Sequence, residues 1–186
     1  MKYLKNPVIA VLLSAIIVLS STFISAGAKL SKASDKVTEG FYQGVSYEGY
    51  KHKSISGQLE SICGAVSGLM TIARNQGIDT AELSRLNSAL SDSVSGKKDG
   101  VSAIHERYAS LMDALYPMLN ELSASPLTER DENGSKEYMV TIMGAEKVID
   151  ESGYNETVQE FLKDMSGFPM NFFISVTGTR LPETFE

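Results

Sequence analysis

Cysteine, histidine and tryptophan are scarce in this chain. Its 186 residues include one cysteine, two histidines and no tryptophan. A single cysteine excludes a disulfide within the chain. Because Cys63 falls on an apolar helical stripe, we expect a buried structural thiol and not a reactive one, which would need access and positive neighbours.

Concentrated positive charge is missing as well. The chain has 17 basic against 23 acidic residues and a net charge of −6, and its lysines and arginines form no cluster. Nucleic acids bind to concentrated positive faces. We therefore expect no nucleic-acid partner.

Both histidines lack the neighbours that a metal site needs. The sequence H-E-R-Y-A that starts at His105 ends on Ala109, where a zinc protease has its second histidine. His52 stands between two lysines, which would repel a cation. Neither histidine follows a glutamate at a distance of three residues, as carboxylate-bridged di-iron bundles require. The sequence predicts no metal site.

Two further patterns resemble parts of catalytic sites. Ser95 and Lys98 match the S-x-x-K pattern of serine–lysine acylation, but they lie in a glycine-containing linker without the companion motifs. Glu146 and Asp150 lie one helical turn apart, where we expect a solvated acidic face. We therefore predict no catalytic residue, no cofactor-binding residue, no cofactor, no small-molecule substrate and no enzymatic activity.

The longest apolar run, Pro7 to Ala28, contains no charged residue. As a helix it would be about 33 Å long, which matches the hydrocarbon core of a bilayer. The basic head and the A-x-A pattern before Lys29 also fit a cleaved secretory signal. The lysines near the two ends are almost balanced, so the side of the membrane that holds the remaining chain stays open. These lysines are Lys2 and Lys5 before the run, and Lys29, Lys32 and Lys36 after it.

The residues after the run, about 158 of them, are enough for one domain with a core. Their apolar residues recur at helical spacing, and no stretch alternates as a strand would. The pattern predicts a first helix over Asp35–Gly77, which weakens or breaks between Gly44 and Gly57, and a second helix after a capping box at Asp79–Glu82. A third helix is predicted over Ile104–Leu122, with Pro117 inside it. A polar connector over Ser123–Gly134 then leads to a fourth helix over Ser135–Met165, which Gly153 interrupts.

Four amphipathic helices joined by short connectors bury their stripes most simply in one antiparallel bundle, so the predicted fold class is all-α. Gly64 and Gly68 form a G-x-x-x-G pattern, which we expect to mark close packing against a neighbouring helix. We expect Phe168-Pro169 to end the fourth helix and the tail beyond it to become turn-like. The methionines on the apolar stripes should be core residues: Met112, Met118, Met139, Met143 and Met165.

Several segments follow one another in a characteristic order. They are Asp35-Lys36-Val37 after the apolar run, A-L-Y-P-M-L from Ala114, A-E-K-V-I from Ala145, G-Y-N-E-T-V from Gly153, F-P-M-N-F-F from Phe168 and the terminal F-E at Phe185. In order and spacing they resemble the LemA family of membrane-anchored helical proteins, with its A-Y-P-x-L, R-Y-N-E-A-V, F-P-x-N and P-Y-F-E patterns.

The resemblance implies a bacterial protein with a short head, one membrane helix, a four-helix bundle and no established enzymatic activity, and it favours a retained anchor. One segment departs from the family's pattern. Gln58–Leu69 stands where the family has Q-L-Q-R-R-x-D-L-I-P-N-L, and the arginines, the aspartate and the proline are absent. If those residues form a partner surface in relatives, this chain has lost or changed that partner.

The sequence thus predicts three parts: a membrane anchor or signal peptide at residues 1–28, a LemA-like helical bundle at 29–170 and a tail at 171–186. The expected function is a scaffold or adaptor, held by a single membrane-spanning helix, that binds protein partners at the cell membrane. Two alternatives stay open. One is a secreted or periplasmic binding module released by cleavage at Ala28, and the other is an enzyme of an unrecognised type.

Overall fold

The computed structural model describes the backbone of residues 7–97 and 99–186, and the side chains from residue 18 onward except those of Leu19 and Lys98. The expected basic head with Lys2 and Lys5 lies outside the described residues, as does Lys98 of the S-x-x-K match. Within this described part, no helix combines the length and the apolar character needed to cross a bilayer.

Over the residues that the structure describes, the protein is all-α, as the sequence predicts, apart from one small hairpin that the sequence does not predict. In the described residues the elements are α1 Pro7–Gln43, β1 Ser46–Tyr47, β2 Tyr50–Lys51, α2 Ile55–Asn75, α3 Ala81–Gly96, α4 Val101–Ala124, α5 Glu129–Asp150, α6 Tyr154–Met165 and α7 Met170–Thr177.

The chain divides into two compact units. The first unit takes in the described residues up to Thr38 together with Gln159–Pro182. The second unit takes in Glu39–Val158 and Glu183–Glu186. Two of the three boundaries, after Thr38 and after Val158, fall inside the helices α1 and α6, and the third, after Pro182, falls in the irregular end of the chain. The division at residues 28 and 170 that the sequence suggests stays a prediction.

A β-hairpin separates α1 from α2. The prediction of one helix over Asp35–Gly77 is wrong here, whereas the expected break after Gly44 is confirmed. The strands β1 and β2 pair antiparallel across the two-residue turn Glu48-Gly49, whose φ angles are 49° and 82°. Two positive φ angles give the turn the twist that a tight hairpin needs. Gly44, with φ of 82°, lets the chain leave α1.

Gly77 ends the helix α2, as the sequence predicts. It adopts a φ of 77°, and its N–H donates to the carbonyl of Arg74 at 3.0 Å. The N–H of Ile78 donates to the carbonyl of Ala73 at 3.0 Å. These two bonds are the pair that satisfies the last carbonyls of a helix in a Schellman motif.

The next helix begins where expected but without a capping box. The carboxylate of Asp79 accepts from the N–H of Ala81 at 2.9 Å, as expected of a residue at a helix start. Glu82 does not reach back to the start of the helix, because its carboxylate pairs with Arg85 at 2.6 Å. The prediction is therefore right about the boundary and wrong about the second half of the box.

The apolar stripe of α4 is buried as predicted. Pro117 lies inside this helix, which continues to Ala124. The predicted connector over Ser123–Gly134 shrinks to four residues, 125–128, because Thr128 caps α5 and accepts from the N–H of Asp131 at 3.2 Å. The acidic residues that made this stretch read as a loop instead occupy the first turn of α5, where they favour a helix.

Gly153 separates α5 from α6, as the sequence predicts, with a φ of 67°. Tyr47 packs so closely against it that an added Cβ would lie 2.8 Å from the Tyr47 Cβ. The tail departs from the prediction, because Met170–Thr177 forms α7 before the chain becomes irregular.

Within the second unit, α2 packs against α3, α4 and α5, and α3 packs against α4. The ring of Tyr138 on α5 occupies the space over Gly68, which confirms close helix packing there, whereas nothing lies over Gly64. Met112 and Met118 are buried as predicted, but Met143 is 62% exposed, so its assignment to the core is wrong. The fully buried core residues include Leu59, Ile62, Val66, Leu69, Leu90, Ile104, Leu111, Leu115 and Ile142.

Candidate functional site

The last residues of the chain are held in a pocket of the second unit, which we call the tail site. Phe185, near the C-terminus, is only 6% exposed. Its ring centroid lies 5.7 Å from that of Phe41, 4.9 Å from that of His105 and 5.8 Å from that of Tyr108. The site is built by Phe41 at the end of α1, by Ser102, His105 and Tyr108 on α4, and by Tyr154 and Asn155 at the start of α6.

Helical spacing explains why three residues of α4 reach the tail together. Ser102, His105 and Tyr108 stand three residues apart, so they share one face of the helix. His105 meets the Phe185 ring edge-on, at an interplanar angle of 84°. Aromatic rings in this arrangement attract each other beyond the effect of burial alone.

The side chain of Asn155 forms hydrogen bonds with the backbone of the tail. Its Oδ1 accepts from the N–H of Phe185 at 2.7 Å, and its Nδ2 donates to the carbonyl of Phe185 at 3.2 Å. One side-chain amide thus satisfies both backbone groups of a buried residue, which would otherwise be left without partners.

Glu183 contacts the start of α4. Its carboxylate accepts from the backbone N–H of Ser102 at 3.0 Å. Gly100, the N-cap residue, has no side chain to satisfy these amides, and a Cβ on it would collide with the Glu183 carboxylate. A negative group at a helix N-terminus is favoured by the free N–H groups and by the helix dipole. The tail therefore supplies the cap that α4 lacks.

Two tyrosines of the site are held in their neutral form. Tyr154 is 1% exposed, and its hydroxyl donates to the carbonyl of Glu183 at 2.9 Å. Burial, followed by the negative charge of Glu183, raises the pKa of Tyr154. The hydroxyl of Tyr108 donates to Glu146 at 2.8 Å, and burial followed by this hydrogen bond raises the pKa of Tyr108. Both hydroxyls serve as hydrogen-bond donors at neutral pH.

The arrangement is suited to binding a short extended peptide. It offers an aromatic pocket for one side chain, paired hydrogen bonds for one backbone unit and a helix N-terminus for one carboxylate. These are recognition contacts of the kind that proteins use for peptide ends. Among the residues described, no cluster of three or more histidine, cysteine, aspartate or glutamate side chains could hold a metal ion.

The residues that resembled catalytic patterns have other contacts here. His105 packs against the ring of Phe185. Ser95 donates to the carbonyl of Ser91 at 2.7 Å near the end of α3. Glu146 is half-buried and bound to Tyr108, so the expected solvated acidic face is wrong for Glu146, although Asp150 is exposed.

Cys63 is buried, as the sequence predicts. Burial, with a smaller contribution from the Glu60 charge, raises the pKa of the Cys63 thiol to about 11. Its neighbour across the helix contact is Asn87, whose Nδ2 donates to the Cys63 carbonyl at 3.2 Å and to the Ser67 hydroxyl at 2.9 Å. The thiol is therefore protonated and inaccessible at neutral pH.

The sequence alone did not identify the tail site. The segments around Tyr154 and Phe185 resemble family patterns, but their spacing in the sequence gives no sign that they touch. They are about thirty residues apart, and local periodicity carries no information on such contacts. No family model, no curated protein and no solved structure matches this chain at a significant level.

Proposed function

We propose that this chain is a membrane-anchored helical-bundle protein of the LemA type. In this proposal Pro7–Ala28 spans the cell membrane once, α2 to α5 form an antiparallel four-helix bundle, and the bundle is a non-catalytic scaffold or adaptor for protein partners. The family assignment rests on the ordered segments of the sequence. Two of these segments, at Tyr154-Asn155 and at Phe185-Glu186, bind each other in the tail site, which gives them a shared structural role.

The observation that carries the proposal is the packing of α1 against α7 in the first unit. The ring of Phe23 lies 6.0 Å from that of Phe172 and 5.2 Å from that of Phe173. Thr177 packs against Gly27 so closely that a Cβ on Gly27 would collide with the Thr177 methyl group. Cleavage at Ala28 would remove Phe23 and Gly27 and uncover the face of α7 that they cover. These contacts therefore support a retained anchor over a cleaved signal.

A groove between the end of α4 and the start of α5 supports the scaffold role. It has a volume of about 620 Å³ and an apolar floor that includes Leu119, Leu122 and Met139, with Glu132 and Lys136 among its polar residues. Val140, which also lines it, is 69% exposed, and Met143 one turn further along is 62% exposed. Exposed apolar side chains beside polar ones are typical of protein interaction surfaces.

Amino-terminal sequencing of the protein purified from its native membranes tests the anchor. A sequence that starts at Met1, with the protein resisting alkaline extraction of the membranes, is the result expected. A mature protein that starts at Lys29 and stays in the soluble fraction would instead support the secreted binding module.

Proximity labelling in the native membrane tests the scaffold role. We expect a reproducible set of labelled neighbours for the wild type that is lost in the double variant V140S/M143S. The control is Tyr50→Ser, which alters a side chain on the hairpin that is 74% exposed and does not line the groove. Equal labelling by all three proteins would contradict a partner surface on α5.

A further inference from the structure

The tail Glu183–Glu186 joins the second unit as a separate piece of chain. The rest of that unit ends at Val158, and the residues just before the tail, up to Pro182, belong to the first unit. Residues 179–186 form neither a helix nor a strand. The tail therefore contacts the second unit as a short irregular segment, in the way that a bound peptide contacts its receptor.

The aromatic walls of the tail site are held by contacts that do not involve the tail. The ring of Phe41 lies 4.9 Å from that of Tyr42 and 5.7 Å from that of Tyr154. The hydroxyl of Tyr108 donates to Glu146 at 2.8 Å. Because all these residues belong to the second unit, we expect the pocket to keep its walls when the tail is absent.

Three polar groups of the site have the tail as their hydrogen-bond partner. The backbone N–H of Ser102 donates to the Glu183 carboxylate, and the Tyr154 hydroxyl donates to the Glu183 carbonyl. The Asn155 side-chain amide uses both its oxygen and its nitrogen on the backbone of Phe185. A backbone amide, a hydroxyl and a side-chain amide therefore converge on four residues, as they do in sites that recognise a peptide backbone.

The contacts select the side chain at two positions of the tail. At the first position, a carboxylate matches the free N–H groups at the start of α4 and the positive end of the helix dipole. Two residues later, Phe185 fills the aromatic pocket. Thr184 between them is half-buried, and Glu186 is exposed. The ligand that this site fits is a segment of the form Glu-x-Phe.

We propose that the tail site is a peptide-binding site for a protein partner, that it accepts an extended Glu-x-Phe segment of that partner, and that the chain's own tail closes it. The partner's segment replaces the tail and makes the same contacts. A tethered ligand acts at an effective concentration on the order of millimolar, so the tail sets the affinity that a partner must exceed.

This site goes beyond the proposed function. It shares no residue with the groove between α4 and α5, and it is independent of whether Pro7–Ala28 is retained. It gives the protein a second partner surface, which is open only while the tail is displaced.

Displacement of the tail can be measured in the wild-type full chain in detergent solution. The probe is a synthetic peptide with residues 179–186 of this chain, T-R-L-P-E-T-F-E. At about 1 mM peptide, hydrogen exchange of the Phe185 amide of the protein should become several-fold faster, because the peptide fills the site while the tail is out. The same peptide with Phe185→Ala is the control and should leave the exchange rate unchanged. Unchanged exchange with the unmodified peptide would overturn the proposal.

Closure by the tail is tested with a variant that lacks Glu183–Glu186. Circular dichroism checks its helical content, and fluorescence anisotropy of the labelled peptide measures binding. We expect binding at least about tenfold tighter than to the wild type, since no tethered ligand competes. In the same shortened chain, Asn155→Ala should weaken binding about tenfold or more. Asn133→Ala, at an exposed position of α5, is the matched control and should leave the affinity unchanged.

Two results of the binding experiment would overturn the proposal. Equal affinity of the wild type and the shortened chain would mean that the tail does not close the site. Equal affinity of the shortened chain with and without Asn155→Ala would mean that the peptide binds elsewhere. If the shortened chain loses its helical content, the exchange measurement on the wild type decides. A mature protein that starts at Lys29 would contradict the anchor and leave these outcomes unaffected.

Discussion

Asn155 and Phe185 exchange two hydrogen bonds, so that one side-chain amide pairs with both backbone groups of a residue thirty positions away. The Asn155 side-chain amide thus takes the place that a backbone amide of a neighbouring strand would take, although neither residue is in a strand. The pair ties the last residues of the chain to the start of α6. Each bond protects a backbone group that would otherwise be buried without a partner.

We expect Asn155→Ala to release the tail. Losing both bonds and leaving the Phe185 backbone unpaired should reduce the free energy of unfolding by about 1–3 kcal/mol. Hydrogen exchange of the Phe185 amide should become faster, and carboxypeptidase should remove the last residues more quickly. Asn133→Ala, at an exposed asparagine of α5, is the control and should change neither rate. Unchanged exchange at Phe185 in the Asn155 variant would contradict the assigned bonds.

Phe185 and Phe168 can be compared to measure how much the tail site contributes to the stability of the fold, because the Phe185 side chain is 6% exposed and the Phe168 side chain is 86% exposed. We expect Phe185→Ala to destabilise the protein by about 3–5 kcal/mol, the usual range for a buried phenylalanine. In aqueous detergent solution, Phe168→Ala should change stability by less than about 0.5 kcal/mol. Urea denaturation followed by circular dichroism measures both values. Equal effects would mean that the pocket does not stabilise the fold.

The helices are the most predictable part of this protein, because their buried residues recur at a regular spacing in the local sequence. The stripe from Ile104 to Leu122 is regular enough to locate α4 without any structure. Gly77 and Gly153 were equally informative, since both end helices with a positive φ that glycine adopts readily. Helix boundaries that depend on such glycines can be predicted from the local sequence alone.

Contacts between distant segments were not predictable in this way. The sequence predicts a loop for the acidic stretch before Ser135. Its acidic residues favour a helix only because Thr128 acts as the N-cap and places them in the first turn of α5. The hairpin is too short to alternate visibly, with two residues in each strand. The tail site requires α1, α4 and α6 to meet, and no local signal in any of them specifies the other two.

Gly64 and Gly68 belong to the same G-x-x-x-G pattern and yet should respond in opposite ways to alanine. Nothing lies within 4 Å of a Cβ at Gly64, so Gly64→Ala should stabilise the protein by about 0.5–1 kcal/mol through helix propensity. At Gly68 the added methyl group would overlap the Tyr138 ring, so Gly68→Ala should destabilise by about 1–3 kcal/mol.

A double-mutant cycle identifies the cause of that difference. In the background Tyr138→Ala, the ring that obstructs Gly68 is gone, and Gly68→Ala should become neutral or stabilising. Thermal or urea unfolding of the four proteins gives the coupling energy between the two positions. A cost at Gly68 that persists without the Tyr138 ring would show that the backbone, and not the helix contact, resists the substitution.

Cys63 should make the protein less stable in alkaline solution. Its pKa is raised from 9.0 to about 11 in the folded protein, so the folded state keeps a proton that the unfolded chain releases. Stability from this group is fully present below pH 9 and is lost as the pH rises towards 11. At pH 10 the loss is about 1.4 kcal/mol, one pKa unit's worth of free energy.

The variant Cys63→Ala isolates this effect. The buried tyrosines are present in both proteins, so their ionisation cancels when the two are compared. Urea denaturation at pH 8 and pH 10 should show a smaller decrease for Cys63→Ala than for the wild type, by about 1 kcal/mol. At pH 8 the variant should be the less stable of the two, because it leaves a small cavity among the side chains that enclose Cys63. Parallel decreases in the two proteins would mean that the thiol ionises as easily in the folded state as in the unfolded chain.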